Sequence, residues 1–134
     1  MNKAKNIFLV EDDEDDQQFF QEAITDIDNT ICLKLAVNGL DALNKLGSMS
    51  ILPDLIFMDI NMPLMNGLDC LVKLKSNAQF KNIPVVILST SPSFYGDRQT
   101  AIQMANSFFS KPSNSDVLKK NIADMLRTYG VACL

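Results

Sequence analysis

Four consecutive apolar residues, Leu55 to Met58, run directly into a carboxylate, Asp59. A run this short does not suit a buried helix; it suits a strand covered on both faces, as parallel sheets require. Asp59 then stands at the strand's exit, with an apolar wall behind it and solvent in front. Asn61-Met62-Pro63 and Asn66-Gly67 follow, a tight polar loop before a new helical pattern begins. The construction recurs: Ile7 to Val10 ends in Glu11-Asp12-Asp13, and Val85 to Leu88 ends in Ser89-Thr90.

Helical spacing fills the intervals between these runs. Phe19, Phe20, Ala23, Ile24 and Ile27 predict a helix from about Asp15, with Asp15 and Asp16 as its caps and Asp28-Asn29 as its end. Ile31, Leu33, Leu35 and Val37 alternate with Cys32, Lys34 and Ala36, the period of a strand near a sheet edge. Leu40, Leu43 and Leu46 mark a short helix that Gly47 should close in a left-handed cap. After Gly67, the residues Leu68, Leu71, Val72 and Lys75 trace a further helix, apolar side to the sheet. A weaker helical stretch covers Asp97 to Met104, and Ser107 to Phe109 reads as a strand leading into Lys111-Pro112. The last helix, about Ser115 to Tyr129, has its stripe at Val117, Leu118, Ile122, Met125, Leu126 and Tyr129, and Gly130 ends it. Strand and helix thus alternate five times, which predicts an α/β fold with right-handed crossovers, a parallel sheet and helices on both faces.

In such a sheet all the C-terminal strand ends share one edge, where ligands bind in doubly wound folds. Glu11-Asp12, Asp59, Ser89 and Lys111 should therefore converge. Carboxylates that close repel, and a hard divalent cation with oxygen ligands, Mg2+ or Mn2+, neutralises them most simply. The chain has no histidine, which excludes serine- or cysteine-histidine catalysis and histidine metal sites within it. A net charge of -4 argues against nucleic acid or an anionic membrane as partner. Three cysteines, Cys32, Cys70 and Cys133, are scattered without CxxC spacing and read as reduced thiols of a cytoplasmic protein. Taken alone, Asp13 to Asp16 read as a solvated acidic loop.

Val10-Glu11-Asp12, Met58-Asp59-Ile60-Asn61-Met62-Pro63 with Gly67, Ser89-Thr90 and Lys111-Pro112, occurring in that order, resemble the receiver domain of two-component response regulators. The resemblance covers nearly the whole chain. It implies a doubly wound, flavodoxin-like (βα)5 fold with strand order 2-1-3-4-5, a single receiver domain over 1–134 with its core at about 5–129, and no output domain. It also implies that Asp59 is the phospho-acceptor, that Glu11, Asp12, Asp59 and the backbone carbonyl of Asn61 hold Mg2+ or Mn2+, and that Ser89 and Lys111 meet the phosphoryl oxygens, Lys111 across a cis bond to Pro112. Ser89 and Phe108 would form the switch, reshaping the surface made by the stretch Asp97 to Met104, the strand after it and the last helix. Phe108 stands where the family often has tyrosine, and Met104 where it often has glycine.

The implied protein is a stand-alone phospho-accepting signalling protein, not an enzyme, with no other cofactor. Its partners would be a sensor histidine kinase or phosphotransfer protein and an unknown downstream protein, with homodimerisation left open. Two alternatives stand beside it: a phosphorylation-independent pseudo-receiver, and a Mg2+-dependent phosphatase with an aspartate nucleophile, disfavoured because Glu11-Asp12-Asp13 lacks the DxD pattern.

Overall fold

The computed structural model describes residues 5–60, 65, 67–89, 105–112 and 114–131. Among them are five strands, β1 (Asn6–Val10), β2 (Cys32–Ala36), β3 (Leu55–Asp59), β4 (Val85–Ser89) and β5 (Ser107–Ser110), and four helices, α1 (Glu14–Ile27), α2 (Gly39–Ser48), α3 (Gly67–Lys75) and α4 (Ser115–Thr128). The strands form one sheet in the order β2-β1-β3-β4-β5, every neighbouring pair parallel. The helix expected over 97–104 lies outside the described residues.

The period of two within each strand sorts its side chains to two cores. Phe8, Val10, Ile56, Met58, Val85 and Ile87 face one side, where Ala42 and Leu46 of α2 and Leu71 and Leu74 of α3 cover them. Ile7, Leu9, Leu55, Phe57, Val86 and Leu88 face the other, under Phe20 and Ile24 of α1 and Ile122 and Leu126 of α4. Phe20 meets Phe57 edge to face, ring centroids 4.8 Å apart, the arrangement aromatic quadrupoles favour. All five residues of β3 are buried, as expected of the central strand of a doubly covered sheet.

Several local expectations are corrected. Asp13, not Asp15 or Asp16, caps α1: its side chain accepts from the backbone N–H groups of Asp15 and Asp16. Gly47 is an interior residue of α2, which runs on to Ser48. Only Gly130 has a positive φ, 71°, among the described glycines, and it closes α4 as expected. Val72 and Val117 point outward, at 44% and 46% exposure, because Cys70 and Leu74 complete the buried face of α3 while Ile122 and Leu126 anchor α4. No peptide bond among the described residues is cis, so the bond before Pro112 is trans, the form X–Pro bonds ordinarily favour.

β2 is shorter than its alternation, because both flanks bond elsewhere. The N–H of Ile31 donates to the Asp28 carbonyl, and that of Val37 to the Asp41 carboxylate. Cys32 donates to the Lys5 carbonyl and Glu11 to the Ala36 carbonyl, so the even-numbered residues of β2 bond to β1, and the backbone groups of Leu33 and Leu35 point to the free edge while their side chains pack on the core. There the Lys45 ammonium donates to the Leu35 carbonyl at 2.8 Å.

At the opposite end of the sheet from the strand exits, Lys75 closes α3 against the starts of β4 and β5. Its ammonium donates to the Ile83 carbonyl at 3.0 Å, the Lys81 carbonyl at 3.3 Å and the Asn106 side-chain oxygen at 2.9 Å, which also accepts the Val85 N–H. Burial lowers the pKa of this ammonium. A Lys75→Met protein keeps the stem and loses the donors, so its unfolding free energy in urea should fall by about 2 kcal/mol. A loss within experimental error would show that water replaces these bonds without cost.

Candidate functional site

Strand register sets the site. Val10 pairs with Met58, Asp59 with Leu88 and Ser89 with Ser110, so β1, β3, β4 and β5 end level. Their next residues meet over one edge of the sheet. Glu11 and Asp59 are buried there, 1% and 4% exposed, and Asp12 is exposed. One carboxylate oxygen from each of the three lies within 4.8 Å of the other two. The Lys111 ammonium ion-pairs with Glu11 and lies 3.0 Å from Asp16 and 3.4 Å from Asp59.

The electrostatics follow from this crowding. Burial pushes Glu11 up to about 8, with the Lys111 hydrogen bond opposing the shift and the Asp59 charge adding to it. Burial works against the charge of Lys111 too, but its hydrogen bond to Glu11 and the charges of Asp59 and Glu11 outweigh that and hold its pKa above the ordinary lysine range. One ammonium cannot neutralise this many carboxylates. A hard divalent cation suits the surplus, since the donor set is all oxygen and the oxygens are close enough to share one ion.

Hydrogen bonds and close packing hold the backbone that carries the acidic groups. Gln17 donates from its side-chain amide to the Glu11 carbonyl at 2.6 Å. The start of α3 is tied to the end of β3, the Gly67 N–H donating to the Ile60 carbonyl at 2.9 Å. A Cβ on Gly67 would stand 2.2 Å from the Asp59 carbonyl oxygen, so α3 can start here only on glycine. Gly39, first in α2, donates to the Met65 carbonyl at 2.9 Å, tying Met65 to the neighbouring helix.

Glu11, Asp12, Asp59 and Lys111, singled out by the sequence, are thus brought together. Ser89 ends β4 beside them, but its side chain lies outside what is described, and Asn61 and Thr90 lie outside the described residues altogether. Phe108 pairs with Ile87 and packs half-buried against the core under α2 and α3. Two contributors were missed, Asp16 and Gln17. Asp16 is the third residue of α1, and side chains at that position reach back past the helix start, here towards the exit of β1. Asp16 and Lys111 also border a cavity of about 390 Å³ whose apolar wall includes Phe19, Phe20, Pro112 and Leu118.

A family model for the response regulator receiver domain matches residues 7–123. The response regulator Rcp1 of Synechocystis sp. (strain PCC 6803) is 37% identical over 95 residues, 67% of this chain and 65% of that protein. The chain spans less than two thirds of the first curated relatives it matches, 60% of PilG of Pseudomonas aeruginosa being the other case. The crystal structure of the phosphorylated cyanobacterial phytochrome response regulator RcpA superimposes with a TM-score of 0.87 at 28% identity, covering 98% of both chains. That of the Mn(2+)-bound form of Rcp1 gives 0.79 at 30% identity, covering 97% of this chain and 96% of that one. No helix among the described residues is long and apolar enough to cross a membrane.

Proposed function

Since the chain belongs to the family of response regulator receiver domains, we propose that it accepts a phosphoryl group on Asp59 from a histidine kinase or phosphotransfer protein and passes the signal on by protein contact. The observation that carries this reading is the convergence of three carboxylates with one ammonium, Lys111 standing 3.4 Å from Asp59. Asp59 is buried but opens onto the strand-exit edge, where a phosphohistidine can approach. Its carboxylate oxygen attacks phosphorus in line; the P–O bond forms as the P–N bond breaks, and the electron pair leaves with the imidazole. Water later hydrolyses the acyl phosphate.

Glu11, Asp12 and Asp59 are the residues that would hold Mg2+ or Mn2+, with the Asn61 carbonyl as a further ligand, a reading supported by the Mn(2+)-bound form of Rcp1. When bound, the ion supplies positive charge against the carboxylates and the incoming phosphoryl oxygens. Lys111 supplies a fixed cation for one phosphoryl oxygen and Ser89 a hydroxyl for another. Phe108, already half-buried beside Ile87, is the residue whose packing would follow Ser89. The chain's part is that of a signalling protein acting only on its own phosphorylation state, and a cytoplasmic location suits that role. Likeness to the cyanobacterial phytochrome response regulator RcpA supports a photoreceptor-type kinase as the donor.

Intact mass after incubation with acetyl phosphate and Mg2+ tests the reading. The expected result is a gain of one phosphoryl group that EDTA abolishes. No gain from acetyl phosphate or from a phosphohistidine donor would overturn it in favour of a phosphate-independent binding module.

A further inference from the structure

Lys111 has more anionic partners than its expected role requires. A cation reserved for a phosphoryl group on Asp59 would be expected to stand nearest Asp59. Instead its ammonium hydrogen-bonds Glu11 and Asp16, the latter at 3.0 Å, while Asp59 lies farther off at 3.4 Å. The two competing carboxylates differ in kind. The Glu11 side chain is 2% exposed and cannot be rehydrated if its partner leaves, whereas that of Asp16 is 38% exposed and can. Asp16 and Lys111 both border the cavity between α1 and the start of α4, so they can part without disturbing the core.

We infer that Asp16 is a positioning residue that holds the Lys111 ammonium back from Asp59 and releases it when a phosphoryl group arrives. The inference rests on the phospho-acceptor reading and adds a restraint to it. Before transfer, the pair keeps Lys111 from settling on the Asp59 carboxylate and blunting it as a nucleophile. After transfer, the phosphoryl group carries more negative charge than a carboxylate and outcompetes Asp16, whose own charge water then takes up. Asp16 thereby sets part of the free energy with which the phosphorylated state is held.

The test is the affinity for beryllofluoride, a phosphoryl mimic, read by fluorine NMR at saturating Mg2+. Asp16→Asn should tighten binding about fivefold and shift the fluorine resonance nearest Lys111, as expected when a half-exposed competing ion pair is removed. Asp15→Asn removes the same charge one residue away, from a side chain that is not among the ion-pair partners of Lys111, and should change affinity by less than about twofold. In a Lys111→Met background, Asp16→Asn should have no effect, since the residue acts through the lysine. Equal affinities for the natural and Asp16→Asn proteins would overturn the inference alone, as would an undiminished Asp16→Asn effect without Lys111. No beryllofluoride signal from the natural protein would overturn the phospho-acceptor reading and this inference with it.

Discussion

Asp59→Asn should take up no phosphoryl group from acetyl phosphate under conditions that phosphorylate the natural protein, a fall of at least about a thousandfold in rate, because the amide oxygen is no nucleophile. The fold should survive. Asp59 is one of three carboxylates whose oxygens lie within 4.8 Å of one another, and removing one charge relieves repulsion that the single lysine cannot balance. In EDTA the variant should therefore unfold at a temperature equal to or above that of the natural protein. Added Mg2+ should reverse the order, raising the Tm of the natural protein more than that of the variant, since a ligand stabilises in proportion to its affinity for the folded state. Thermal scans with and without the ion, beside intact mass, check both. Phosphorylation persisting in the variant would move the acceptor to another residue.

Gly67→Ala should lower stability by about 3 kcal/mol, a drop of about 10 °C in Tm, although it adds only a methyl group. The added Cβ would meet the Asp59 carbonyl oxygen at 2.2 Å and the Ile60 Cα at 2.9 Å, both backbone atoms that no rotamer change can move aside. The cause is space, because Gly130 alone among the described glycines has a positive φ. Relief of the clash must shift either the end of β3 or the start of α3, so phosphoryl uptake should fall along with stability. Gly47→Ala is the contrast: nothing stands within 4 Å of its added Cβ inside α2, and the protein should gain about 1 kcal/mol from helix propensity. Equal effects of the two substitutions in a urea titration would contradict the close approach at Gly67.

These contrasts bear on what the sequence could reveal. The sheet was legible because each central strand is an apolar run buried on both faces and too short for a buried helix, and the exits were legible because each run stops in a polar residue. Strand register then turned four separate exits, those of β1, β3, β4 and β5, into one site. The fine assignments failed where several residues of one type compete. Among Asp13, Glu14, Asp15 and Asp16, composition could not say which would cap α1 and which would reach back to Lys111; that depends on where the helix begins, to the residue. Val72 was misread because Cys70, a small thiol pushed up to about 12 by burial and hence an inert apolar group, took the inward place. Gly47 looks like a helix end by type alone, yet the chain there stays helical to Ser48.

The lysine on the outer carbonyl of β2 has a consequence unrelated to signalling. β2 ends the sheet, and an unpaired edge is a template on which another chain can add a strand. Lys45 occupies the outward carbonyl of Leu35, and Lys34 places an exposed charge in the middle of the same strand. An incoming strand would have to displace one ammonium and bury another. The same two side chains thus oppose strand addition at this edge, the kind of protection by which open sheets resist aggregation.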